Sequence, residues 1–96
     1  MTTYFVTRHP GAKAWAEEAG INIDICLEHL QINQLKTGDK VLGTLPVNLV
    51  AELNAKGVRY FHLTLPMPAE LRGREITKDI MKQLGAKLEE YSVKKI

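Results

Sequence analysis

Arg8 and His9 follow a β-forming run, Tyr4-Phe5-Val6-Thr7, and stand just before Pro10-Gly11. Arginine can fork paired hydrogen bonds to phosphate oxygens. Histidine can give or take a proton near neutral pH. Placed between a strand and a helix start, the pair would sit beside unbonded backbone N–H groups and a positive dipole end, which together make an anion site. The plain alternative is a polar turn, with Arg8 solvated and His9 packed on the chain. A second basic pair, Arg72 and Arg74, brackets Gly73 in "ELRGRE". Folded over a sheet edge, that segment would be a lid carrying phosphate-binding arginines; otherwise it is a solvated charged loop. In "GDKVLGTLP", Gly43 lets backbone approach a ligand and Thr44 can cap the helix that Pro46 begins. His62 and Thr64 form a His-x-Thr in a β-rich run, so both point to one face. That histidine reads as a half-buried strand residue that positions its neighbours.

The elements holding these groups follow from pattern. Thr2 to Thr7 is rich in β-branched and aromatic residues and predicts a strand. Pro10-Gly11 breaks it, and Ala12, Trp15, Ala16 and Ala19 then form a helical stripe ending at Gly20. Ile21 to Leu30 alternates as a second strand. Lys36-Thr37-Gly38-Asp39 is a turn cluster, and Lys40 to Leu45 is a short strand. Pro46 opens a helix that buries Leu49, Val50 and Leu53 and closes near Gly57. Val58 to Leu65 is a strong strand. Thr77 then caps a final helix in which Ile76, Ile80, Leu84 and Leu88 step by four. This alternation predicts one α/β layered domain, residues 1–96, with a largely parallel sheet. Parallel strands put their following turns on one edge. Thr7 to Gly11, Gly43 to Pro46 and Pro66 to Glu75 are therefore expected to converge there.

Composition narrows the function classes. The chain has 96 residues, 45% hydrophobic and 25% charged, as in an ordinary globular domain. Thirteen Lys and Arg against eleven Asp and Glu leave a net charge of +2. That argues against electrostatic binding of long nucleic acid but suits a small anion if the basic groups converge. The single cysteine, Cys26, has no internal disulfide partner, so a cytoplasmic protein is expected. No charged leader precedes an apolar run, and no apolar run approaches membrane-spanning length. Three scattered histidines and one cysteine predict no metal site. The chain also lacks a Gly-rich phosphate loop, so no cofactor is expected.

The histidine phosphatases carry Arg-His-Gly at the end of their first strand, whereas this much shorter chain has Arg8-His9-Pro10. It also lacks a second His-Arg pair to hold the phosphoryl oxygens, and that label falls away. Taken together, "YFVTRHPGA", "GDKVLGTLPVNLVAEL" and "YFHLTLPMPAELRGRE" resemble a small standalone family of CRISPR-associated proteins found beside type III antiviral systems. The resemblance runs from Thr3 to about Met81. It implies a Rossmann-like three-layer domain related to those that sense cyclic oligoadenylates. It further implies a ring nuclease that cleaves cyclic tetra-adenylate, acting as a homodimer with the ligand across the two-fold axis. On this chain the family's blocks fall on Thr7, Arg8, His9 and Gly11; on Gly43, Thr44 and Pro46; and on Arg72, Gly73, Arg74 and Glu75.

The implied chemistry is metal-independent attack by the ligand's own 2′-hydroxyl, which needs in-line alignment and charge stabilisation. Arg8 and His9 would be catalytic, with Thr7, Gly11, Gly43, Thr44, Pro46, Arg72, Gly73 and Arg74 lining the ligand. Two other readings stay open: a protein that sequesters the messenger uncut, and an interaction protein whose basic edge docks elsewhere.

Overall fold

The computed structural model describes residues 1–66, 68–71 and 73–96. Five strands, β1 (Thr3–Val6), β2 (Ile25–Leu27), β3 (Lys40–Gly43), β4 (Arg59–Thr64) and β5 (Lys87–Tyr91), form one sheet in the order β2-β1-β3-β4-β5. The first four are parallel, and β5 runs antiparallel to β4. Among the described residues three α-helices, α1 (Pro10–Glu18), α2 (Val47–Ala55) and α3 (Lys78–Leu84), complete a small α/β fold. None of the described helices is long and apolar enough to cross a membrane.

Strand alternation builds a core on each face of the sheet. Phe5, Leu42 and Leu63 pack with Ala12, Trp15 and Ala16 of α1 and Met81 of α3. Their sequence neighbours Tyr4 and Val41, with Tyr60, pack instead with Val50 and Leu53 of α2. Lys78 and Lys82 both pair with Glu18, tying the exposed sides of α1 and α3. Arg59 forks onto Glu90 at 2.8 and 2.9 Å, fastening the outer strand β5 to β4.

Two expectations are corrected here. The final helix does not reach Leu88. It stops at Leu84 because Gly85 takes a left-handed φ of 75° that turns the chain back. Leu88 then lies opposite Leu63 in β5, a strand the four-residue spacing of apolar residues disguised. Ile76 also falls outside that helix, since Thr77 is its N-cap and accepts from the Ile80 N–H at 3.2 Å. The second strand is shorter than Ile21 to Leu30. Ile21 closes the end of α1 through the Ala16 carbonyl, and the sheet edge needs only Ile25–Leu27.

Asp39 is the buried polar residue of the turn before β3, at 5% exposure. Its carboxylate accepts the N–H groups of Thr2 and Lys36, each at 2.9 Å. Those bonds, Thr2 first, hold its carboxyl below the ordinary aspartate range. The unfolded chain therefore takes up this proton at higher pH than the folded one. The stability it contributes is complete above about pH 4 and is lost as pH falls through the lowered folded value. Asp39→Ala is expected to cost about 2 kcal/mol. Urea melts between neutral and acid pH should show a shallower loss of stability in this variant than in the wild type.

Candidate phosphate-binding cleft

Because β1, β3 and β4 are parallel, the residues after them emerge at one edge of the sheet. Beyond β1, the Thr7 hydroxyl accepts the His9 N–H at 3.1 Å, a tight turn that leaves Arg8 and His9 exposed. His9 is the extended N-cap of α1, with Pro10 in the first turn, and its side chain makes no capping bond. The imidazole is thus left for the surface. Beyond β3, Thr44 is also exposed. It is not the N-cap of α2, correcting that expectation: Pro46 is the cap and supplies no side-chain bond.

Three adjoining hollows share this edge. A cleft of about 410 Å³ is walled by Thr7, His9, Thr44, His62 and Thr64 over Val6 and Leu65. Beside it, about 480 Å³ lies between Arg8, His9 and Pro10 on one side and Leu71, Gly73 and Arg74 on the other. A smaller hollow of about 250 Å³ joins Thr7, Arg8 and His9 to Glu28 and Thr44. His9 borders all three. Among the described residues no three His, Cys, Asp or Glu side chains gather as a metal set.

The floor of the main cleft is built by a close strand approach. A Cβ on Gly43 would stand 2.7 Å from the Val6 carbonyl oxygen, so β1 and β3 can meet this closely only at glycine. The Gly43 carbonyl accepts the Tyr60 hydroxyl at 2.9 Å. The same phenol oxygen accepts the Leu45 N–H at 2.9 Å and lies 2.7 Å from Nδ1 of His62. Burial pushes the Tyr60 phenol up from its ordinary range, so it remains protonated at neutral pH.

The sequence-derived residues fall into groups. Thr7, Arg8, His9, Gly43 and Thr44 meet at the cleft and its neighbours, and Gly73 and Arg74 face Arg8 and His9 across the second hollow. Pro46 is exposed at the start of α2. Gly11 is pressed against the chain ahead of α3: a Cβ there would collide with the Ile76 carbonyl and stand 2.8 Å from the Thr77 Cα. Arg72 lies outside the described residues. His62 and Thr64, read from sequence as a strand pair of modest interest, line the main cleft. Their two-residue spacing gave their shared face, but the pairing of His62 with Gly43 across β3 and β4 brings them to the site.

No match was found among curated proteins or solved structures. A family model described as "Putative CRISPR-associated protein (Cas_VVA1548)" matches residues 4–94. With nearly the whole chain covered, strands and cleft turns included, the protein belongs to this CRISPR-associated family.

Proposed function

We propose that the protein is a metal-independent ring nuclease that binds and cleaves cyclic tetra-adenylate, switching off type III CRISPR antiviral signalling. The observation that carries this reading is the meeting of Arg8, His9, Thr44 and Arg74 around adjoining hollows at one sheet edge. A ring of four phosphodiesters bears about four negative charges, and arginines with hydroxyls and helix-start N–H groups are the donors such a ligand needs. On this reading the domain is Rossmann-like and related to the cyclic-oligoadenylate-sensing domains.

The hollows are open, and one copy is small beside the ring. Two copies about a two-fold axis would present the arginines twice to a ligand that can adopt the same symmetry. Arg8 stabilises charge on the reacting phosphorus, His9 moves a proton at a ribose oxygen, and Arg72 and Arg74 hold neighbouring phosphates. The products are linear adenylates ending in a 2′,3′-cyclic phosphate.

Incubation of the purified protein with cyclic tetra-adenylate in EDTA, followed by chromatography, tests this directly. Linear products are expected. An intact ring after long incubation with excess protein overturns cleavage, and a raised melting temperature in that case identifies a sequestering protein instead.

A further inference from the structure

We infer that His62 is the general base of this cleft, held by Tyr60 as the imidazole tautomer with its proton on Nδ1 and its lone pair on Nε2. The inference rests on the ring-cleavage reading above and adds a residue and a division of labour to it.

Three contacts at one oxygen decide the tautomer. A phenol oxygen has one proton to give and can accept two bonds. The Gly43 carbonyl, 2.9 Å away, can only accept, so it takes the Tyr60 proton. The Leu45 N–H donates to the phenol. The remaining contact, 2.7 Å to Nδ1 of His62, then requires the imidazole to donate. Nδ1 is therefore protonated, and Nε2 is left as an acceptor. Nε2 bonds to none of the described residues, and no polar side-chain atom among them is buried without a partner, so it is open to the surface.

The surroundings of the ring suit a base. His62 stands between the main cleft and an apolar hollow of about 220 Å³ lined by Leu45, Val47, Val50 and Tyr91. The Tyr91 ring meets it edge-on at 5.8 Å. A nucleotide with its base in the apolar hollow and its phosphate toward Arg8 would bring its ribose past His62. The ionisable groups around the imidazole are Tyr60 on its own strand, Glu89 and Tyr91 on β5, and His9 across the cleft. Glu89 is engaged elsewhere: it accepts the Thr64 hydroxyl at 3.0 Å and lies 3.8 Å from the Lys87 ammonium. The α2 side chains that line the hollow beside the ring, Val47 and Val50, are apolar.

The step balances with two histidines. Nε2 of His62 takes the ribose 2′-hydroxyl proton as that oxygen bonds to phosphorus. The bond from phosphorus to the 5′-oxygen breaks, and His9, as imidazolium, protonates the leaving oxygen. The products are a 2′,3′-cyclic phosphate and a 5′-hydroxyl, with no water consumed. His62 and His9 are then base and acid, and Tyr60 is a positioning residue.

The first measurement uses no nucleotide. A long-range ¹H–¹⁵N correlation of the labelled protein, taken at alkaline pH, is expected to show Nδ1 protonated and Nε2 bare. The reverse assignment overturns the inference. The second measurement is single-turnover cleavage of cyclic tetra-adenylate across pH, with binding measured alongside. The wild type should give a bell. His62→Gln should slow cleavage about 10²-fold or more at unchanged affinity and remove the acidic limb. His9→Gln should remove the alkaline limb. Tyr60→Phe, which keeps the ring, should mix the His62 tautomers and slow cleavage without weakening binding. His62→Asn serves if the Gln variant melts early. An active wild type with unaffected His62 variants sinks this inference alone. An inactive wild type sinks the ring-cleavage reading, and the base assignment with it, whatever the tautomer.

Discussion

Arg8→Ala is expected to slow single-turnover cleavage of cyclic tetra-adenylate by about 10²–10³-fold, the usual loss when one preorganised donor to a transition-state oxyanion is removed. Arg8 follows β1 in a turn pinned by the Thr7 hydroxyl, and it borders two of the hollows that His9 borders. A side chain so placed can reach a phosphate whose ribose lies toward His62. Arg74 sits across the second hollow, in the segment following Gly73. Arg74→Ala should therefore weaken binding and flatten its salt dependence, while the rate from the bound complex changes little. The two variants separate reacting from flanking phosphate contacts. Weakened binding with an unchanged rate from the bound complex in Arg8→Ala would mean that Arg8 is a binding residue and that the scissile phosphate is held elsewhere.

Gly11→Ala is the substitution expected to cost the most stability. An added methyl would press on the Ile76 carbonyl and the Thr77 backbone, and neither can swing aside as a flexible side chain could. Ile76 is 1% exposed and belongs to the α1–α3 core, and Thr77 caps α3, so yielding would disturb both. A destabilisation of about 3 kcal/mol follows, at the upper end for overpacking. For a domain of this size that lowers the melting temperature by on the order of 10–20 °C. Thermal melts followed by circular dichroism would read it. A shift of only a degree or two would show that α1 and α3 can separate at no cost. Because α1 begins at the cleft, under the proposed function any protein that remains folded should also bind cyclic tetra-adenylate less tightly.

Much of the sheet was legible because β1, β3 and β4 are short runs rich in β-forming residues, with β3 and β4 each set between a Gly and a Pro. The Thr2–Thr7 and Val58–Leu65 runs announced β1 and β4, and the stripe through Ala12, Trp15 and Ala16 announced α1. The fifth strand was hidden because β5 buries little. Leu88 reads as one more step of a helix until the left-handed Gly85 is known. The gathering of Arg8, His9 and Thr44 at one edge followed from parallel pairing, a relation that alternating elements encode. The role of Gly11 did not, since its constraint comes from residues more than sixty positions away in sequence. The place of His62 in the cleft is hidden in the sequence for a similar reason. Nothing in "YFHLT" reveals that a buried phenol two residues earlier will be shared among a carbonyl, an amide and the imidazole.

The strand order also determines how such a site can change. From β1 the sheet grows one way to β2, and from β3 it grows the other way to β4. α1 covers one face and α2 the other, so the chain leaves these neighbouring strands in opposite directions. A crevice between them is a product of this topological switch and needs no particular loop sequence to hold it open. The turns after β1 and β3 can therefore be exchanged, lengthened or recharged with the sheet beneath them intact. Selection for a different ligand would act on the rim while the crevice persists.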